Sequence, residues 1–460
     1  MGNIIQHFCT ESINKICECV AEVMAKHQDF SVVTAKVKEE TDQLGKDLCN
    51  FIIDTVEQAI KNDPLRPKEW HVQRTDDDRS INTLLGAITY KRTYYKSAHG
   101  KGYCYLLDKV LGIEPYDKID TGLKAASIEL AADISYAKSG EQAGPVAISR
   151  QSVANNIREL QDIKVKKNTA PKKVLEILYI EADEDHASLQ TGKKALPKLI
   201  YVHEGLDLTG LRHKTKNIHY FSSLTKSTEE LWTDVYQYIT DNYEVEKIKR
   251  VYIAGDGAKW IKAGLNWFRN ARFVLDRYHL NKYVLKATGH APQYRHKLWI
   301  SLNRADKDAV KEILDNLIEN VLTQADLKEV MDVRRYILNN WDGIQIYAYE
   351  DRTVIGCSAE GHVGHILSAR ISRAPLGWGI PNLENITCLR TFKANGGKVY
   401  DLLISQKKEE REPVEIAPNI LRELRKKVED KSHLLGIKLP IIEYGKVTPL
   451  YNILKELQGA

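Results

Sequence analysis

The chain has 460 residues with 67 basic against 62 acidic side chains, a net charge of +5, 43% hydrophobic and 28% charged residues, 27 Gly and 13 Pro. Roughly 150 residues per domain makes two or three domains the expectation, and this composition excludes collagen-like, low-complexity and wholly disordered chains. No run of roughly 18 apolar residues occurs, and the N-terminus, MGNIIQHFCTESINKICECV, lacks a charged leader followed by a long apolar stretch. Neither a membrane span nor a signal peptide is therefore expected, and the expected location is the cytoplasm.

The seven cysteines, Cys9, Cys17, Cys19, Cys49, Cys104, Cys357 and Cys388, form no C-x-x-C pair. They read as reduced thiols rather than a disulfide framework or zinc ribbon. The net charge is too mild to name a nucleic-acid partner, so only its distribution can inform.

Residues 1–62 read as a helical arm, with Ile13, Ile16, Val20 and Val23 at helical spacing. Past Pro64 and Pro67, region 63–120 reads as a β-hairpin turning near Ser97–Gly102, in which Lys91, Arg92, Tyr94, Tyr95 and Lys96 are candidates to touch phosphates or bases. From 121 to 170, TGLKAASIELAADISYAKS and ISRQSVANNIRELQDI flank a Gly/Pro break and suggest a helix-turn-helix, with Ser149 as N-cap of the second helix. The first turn of that helix would enter the major groove and present Arg150, Gln151, Ser152, Asn155 and Asn156 to DNA. The basic linker that follows, with Lys164, Lys166, Lys167, Lys172 and Lys173, could neutralise phosphates.

Beyond Pro171 strands and helices alternate. VLEILYIEADED ends in the carboxylates Glu181, Asp183, Glu184 and Asp185; KLIYVHEG and NIHYFSSL are two more strands, TEELWTDVYQYITDN an amphipathic helix, VYIAGDG a strand ending at Asp256, and FVLD a fifth. Three strands, helix, strand, helix, strand is the order of an RNase H-like α/β domain with a mixed five-stranded sheet, whose first and fourth strands lie side by side. Carboxylates there can hold Mg²⁺ or Mn²⁺, and two such ions about 4 Å apart support in-line phosphoryl transfer. Asp183 is the first candidate ligand, Asp185 its understudy on the same face, and Glu184 points oppositely; Asp256 is the second.

The third is Glu360, in the first turn of a helix that Ser358 caps. Glu350 and Asp351 are rivals in a strand-like IQIYAYEDR. His362 and His365 suit phosphate or supporting contacts better than metal, and Arg370 and Arg373 on the same helix could hold phosphates. The long interval between Asp256 and Glu360 contains a charged helical stretch, 290–342, read as an all-helical insertion. The catalytic domain is thus 171–289 with 343–400, and 401–460 is a C-terminal tail.

TYKRTYY, SRQSVANNI, YIEADEDHASLQ, YIAGDGAKWIKAG, VLDRYHLNKYV and GCSAEGHVGHILSARISRAPLGW together resemble the ISLre-type insertion-sequence transposases of bacteria. These are often catalogued only as an uncharacterised family and are distantly similar to mutator-like DDE transposases. The resemblance implies a DDE triad on Asp183, Asp256 and Glu360, two Mg²⁺ ions, cleavage of DNA at terminal inverted repeats, strand transfer into target DNA, and a homo-oligomer associated with the nucleoid when bound. Asp276 and His279 match a C/D-x-x-H signature that has a supporting role in such relatives. Two other readings stay open: a metal-dependent nuclease or resolvase on the same fold, and a catalytically inactive DNA-binding regulator.

Overall fold

The structure, a computed structural model, describes residues 29–410 except 101, 166–169, 208, 210–213, 351 and 374–376, together with 15, 18, 22, 446, 447 and 451. Most of the first half of the predicted arm, with Cys9, Cys17 and Cys19, lies outside the described residues. So do Lys166, Lys167, Asp351 and most of the tail. The described chain forms two compact units, one built from residues up to 127 with 139–149 and those from 403, the other from 128–138 and 150–402.

The first unit opens with helix α1, Phe30–Lys61, whose N-cap Asp29 accepts the Ser31 N–H. An antiparallel sheet follows: β1 (Trp70–Thr83), β2 (Gly86–Ser97) and β3 (Tyr103–Tyr105). The long pairing is β1 with β2 across the two-residue turn Leu84–Leu85, and the predicted hairpin at 97–102 joins only the short β3. Helix α2, Leu106–Leu111, stops at Gly112, which adopts φ 69°. Ile53 and Ile60 of α1 pack on Ile81, Ile88, Tyr90, Tyr95 and Leu107. Two of the hairpin's predicted contact residues are consumed by this core: Tyr95 is fully buried, and Arg92 pairs with the buried Asp108.

The predicted first helix of the helix-turn-helix is two helices, α3 (Thr121–Ala131) and α4 (Tyr136–Gln142), and α5 is Arg150–Arg158. In α5, Val153 and Ile157 are buried, whereas Arg150, Gln151 and Asn155 are exposed.

The second unit is built on a five-stranded sheet: β4 (Ile177–Glu184), β5 (Lys198–His203), β6 (His219–Ser223), β7 (Arg250–Gly255) and β8 (Ala271–Leu275), in the order β6-β5-β4-β7-β8. β5 runs antiparallel to β4 and β6, whereas β4, β7 and β8 are parallel. Parallel neighbours require a crossover, here helix α6 (Thr228–Asn242), which opens on a capping box of Ser227 and Glu230. Its Leu231, Trp232, Val235 and Ile239 cover one sheet face, on Leu178, Ile180, Ile200, Val202, Val251 and Ile253. After β8 come α7 (Arg277–Ala287), α8 (Tyr294–Asn303), α9 (Lys307–Glu319), α10 (Gln324–Asn339) and α11 (Trp341–Tyr349).

Residues read as a strand, IQIYAYEDR, thus fall largely within helix α11, which buries Trp341, Ile344 and Ile346. Tyr179, Tyr252, Ala254 and Val274 on the second sheet face meet Ile346. Helix α12, Ala359–Val363, continues through a π-helical turn, Gly364–Ser368, into α13, Ala369–Ile371. Helices α14 (Ile380–Ala394) and α15 (Val399–Glu410) complete the described chain. No described helix is long and apolar enough to cross a membrane.

Candidate metal centre

Period-two alternation along β4 sends Leu178, Ile180 and Ala182 into the α6-covered core and Tyr179, Glu181 and Asp183 to the other face. Asp183 therefore arrives buried near the end of β4, and the adjacent parallel β7 delivers Asp256 one residue past its own end. Ligand atoms of Asp183, His279 and Glu360 lie within 4.8 Å of one another. Asp183 is buried, His279 half-buried and Glu360 exposed. Two carboxylates and an imidazole at this spacing could hold a divalent cation. Burial, reinforced by the negative charges of Asp256 and Glu360, pushes the Asp183 carboxyl up to about 7 against the opposing Glu184 N–H and His279. A cation placed beside this carboxyl would favour its charged form and oppose the shift.

His279, expected only to support, stands inside the ligand group. Asp276 is the N-cap of α7: its Oδ1 accepts the Tyr278 N–H at 2.9 Å and its Oδ2 accepts His279 Nδ1–H at 2.8 Å. The other ring nitrogen, Nε2, is left for a metal or substrate, the arrangement by which a carboxylate orients a ligating histidine. Hydrogen bonding to Asp276 raises the imidazole's pKa, burial opposes it, and Asp183 and Asp256 add to the rise.

Asp256 lies beside this group rather than in it. Its Oδ1 accepts the Ala258 N–H at 2.8 Å, and its carbonyl accepts the Tyr336 hydroxyl at 2.7 Å. Gly257 is needed at φ +95°, where a Cβ would meet the Asn340 amide at 2.4 Å.

A buried polar network holds the start of the helix that carries Glu360. Glu181 Oε2 accepts the Tyr201 hydroxyl and the Ser358 N–H, the latter at 2.5 Å, and Oε1 accepts His203 Nε2–H at 3.0 Å. Burial alone would raise the Glu181 pKa, but the His203 hydrogen bond and charge, Tyr201 and Ser358 hold it below the usual value. Ser358 sits at the N-cap position, yet its hydroxyl makes no cap bond and turns to Glu181 at 3.2 Å. The strand that carries Asp183 thereby holds the start of the helix that carries Glu360.

The other predicted residues divide. Asp185 lies beyond β4 and accepts the Ser372 hydroxyl at 3.0 Å, so it has a structural partner instead of an understudy's place. Glu184 does point oppositely, accepting Trp260 Nε1–H at 3.1 Å. Glu350 pairs with Arg250 at the start of β7, away from the strand's carboxyl end. His362 is engaged by the Tyr220 hydroxyl at 2.8 Å and packs on Tyr201.

Arg370 cannot hold phosphate. It is 7% exposed, donates from Nε to the Ala131 carbonyl at 3.0 Å, and lies over the Trp378 and Tyr136 rings. Arg373 is exposed. In α5, Gln151 donates to Asn155 at 2.9 Å, while Ser152 and Asn156 are half-buried. The carbonyls of Ala154 and Ile157 accept Asn382 and Asn385 of α14 at 2.9 and 2.7 Å, so the helix docks on its own unit by its C-terminal half. Lys164 reaches Asp234 at 3.5 Å and Lys173 reaches Glu204 at 2.8 Å. The described cysteines, Cys49, Cys104, Cys357 and Cys388, are free thiols.

Residues 25–408 match the family described as uncharacterised protein family UPF0236. Similar chains include a family protein of Caldanaerobacter subterraneus subsp. tengcongensis, 42% identical over 447 residues that span 97% of this chain and 95% of the relative. A second from the same organism is 43% identical over 440 residues, 95% of this chain and 94% of the relative. A more distant one, named for the region 3′ of vanSb in Streptococcus gallolyticus, is 23% identical over 397 residues, 82% of this chain and 86% of the relative. With a match over most of its length and relatives of this identity, the chain belongs to the uncharacterised protein family UPF0236.

Proposed function

We propose that the protein is an ISLre-type DDE transposase with an RNase H-like catalytic domain. In this reading it cleaves DNA at the ends of an insertion sequence and transfers the 3′ ends into target DNA. The observation that carries the reading is the convergence of Asp183, His279 and Glu360 within 4.8 Å, with Asp256 ending the neighbouring strand. Residues far apart in sequence meet where a phosphodiester could be held. The sheet order β6-β5-β4-β7-β8, with its first and fourth strands adjacent and parallel, fits such a domain. One relative's name joins eleven loci of a single genome, the multiplicity expected of a sequence that copies itself.

When bound, Mg²⁺ or Mn²⁺ would supply neutralising charge for phosphoryl transfer. Asp183 and Glu360 would hold it, and Asp256, beside them at the end of the neighbouring strand, would complete the triad. His279, oriented by Asp276, faces the scissile phosphate or completes the ligand set, and the exposed face of α5 (Arg150, Gln151, Asn155) contacts the element end. The site acts in the cytoplasm on nucleoid DNA, as a homo-oligomer that brings two ends together.

The test is incubation of the purified protein and Mg²⁺ with labelled duplexes taken from the DNA flanking its coding sequence, scoring cleavage and strand transfer separately. Alanine at Asp183, Asp256 or Glu360 should abolish both products and leave duplex binding intact. Cleavage without strand transfer would indicate a nuclease or resolvase, and binding without either product an inactive regulator.

A further inference from the structure

Charge is unevenly spread beside the metal centre. From Arg277 to Ala305 the chain carries six Lys and Arg residues and no Asp or Glu, against 67 and 62 in the whole chain. This stretch contains α7 and α8. Helix α7 buries Leu280, Val284 and Ala287. The opposite side presents Tyr278, Lys282 and Lys286 to solvent, at the spacing that makes one helical face. The strip starts at the metal centre itself, since Tyr278 is 48% exposed with its ring 5.7 Å from that of His279. The Lys282 ammonium lies over the Tyr278 ring, 4.1 Å from its centre. Along α8, Lys297 is exposed, and Arg304 is exposed just past the helix end.

Few acids answer these cations. Lys286 leans on Glu329 of α10 at 3.7 Å, and both groups are largely solvated, so that pair binds weakly. Lys282, Lys297 and Arg304 make no ion pair among the described residues. These unneutralised cations, on the helix that opens beside His279 and on α8, whose Asn303 accepts from Arg277 at 2.7 Å, match one occupant by charge, the backbone of duplex DNA.

We infer that the exposed face of α7 and the adjoining α8 form a sequence-independent docking strip for the DNA duplex entering the metal centre, with Lys282, Lys297 and Arg304 contacting phosphates. The inference rests on the reading of the centre as one that acts on DNA.

The experiment uses the full chain. Binding of a fluorescent mixed-sequence duplex of about 30 base pairs is followed by anisotropy across a salt series, without divalent cation. The variant Lys282→Ala/Lys297→Ala/Arg304→Ala is compared with Lys247→Ala/Lys311→Ala/Lys328→Ala, which removes the same charge elsewhere. The first triple should weaken binding by about tenfold or more and flatten the slope of log affinity against log salt by about 0.9 for each phosphate that is no longer neutralised. The second should do neither. Wild-type affinity and slope in the first triple, or equal losses in both, would overturn the strip. Cleavage of flanking duplexes is scored in parallel: wild-type cleavage with unchanged binding in the triple sinks the strip alone. Weakened binding in the triple, with no wild-type cleavage under any condition, sinks the transposase reading and leaves the strip standing.

Discussion

Glu181 illustrates how a residue that touches no substrate can decide a site. It is 2% exposed and accepts from Tyr201, His203 and Ser358. Removing the carboxylate orphans three donors at once, and a buried pair broken on one side costs about 3–5 kcal/mol. Glu181→Ala should therefore lower stability by that order in urea unfolding. At temperatures where the variant stays folded it should also lose the cleavage proposed above, because Ser358 no longer ties the start of the Glu360 helix to β4. Full cleavage in a folded Glu181→Ala protein would separate the network from the site.

His219 makes a second prediction at this scale. Stacked on Tyr238 at 4.1 Å, it has its pKa lowered by burial to about 4. The unfolded chain takes up this proton near pH 6.5, whereas the fold refuses it until near 4. Stability is thus unaffected above 6.5, falls as pH drops from 6.5 to 4, and is level below, a loss on the order of 3 kcal/mol. In His219→Gln that part of the acid slope should vanish. An unchanged difference in melting temperature between pH 7 and pH 5 would contradict the burial argument.

At the scale of elements, the turn after β7 depends on helix α10. Tyr336 donates to the Asp256 carbonyl, and Asn340 packs where a Gly257 side chain would stand. Tyr336→Phe gives up one hydrogen bond, about 1 kcal/mol, and should slow cleavage through kcat with KM nearly unchanged. Gly257→Ala adds both the clash and an unfavourable φ, with strain of about 1–3 kcal/mol, and should abolish cleavage in protein that still melts cooperatively. A Gly257→Ala variant with wild-type kcat would show that the turn's shape is immaterial.

The same elements explain what could be read from the sequence. The apolar runs of β4 and β7 stop at Asp183 and next to Asp256, so the two strands and their carboxylates were legible. Strand β1 was not, because Arg74, Asp76, Asp77, Asp78 and Arg79 interrupt its apolar alternation, and a solvated edge imposes no such pattern. Helix α11 was misread because the alternating text of IQIYAY mimics a half-buried strand, and only its packing on β8 exposes the helix. The place of His279 follows from the N-cap geometry of Asp276, for which D-x-x-H was the available signal. The burial of Arg370 depends on Trp378 and Tyr136, neighbours that no spacing reveals.

For the molecule as a whole, the stretch 290–342, with α8, α9 and α10, is an insertion in sequence but not in packing. Leu298 and Leu302 of α8, Val310, Ile313, Leu314 and Leu317 of α9, and Val330, Val333 and Ile337 of α10 share one core with Leu280 and Val284 of α7 and with Phe273 and Leu275 of β8. A module hung on linkers would keep its own core and melt by itself. A shared core has no plane along which to part, so the sheet and these helices should unfold as one cooperative unit. Trp299 lies in α8 and Trp232 in α6, both on this core. In two proteins that each keep one of these tryptophans, with the remainder replaced by phenylalanine, urea transitions should share a midpoint and slope. Midpoints separated by much more than the change that the substitutions themselves cause in far-UV circular dichroism would make the insertion an independent domain. Its brace on the Asp256 turn, the Tyr336 hydrogen bond, would then be a docking contact, free to open, and no longer a fixed part of the sheet's frame.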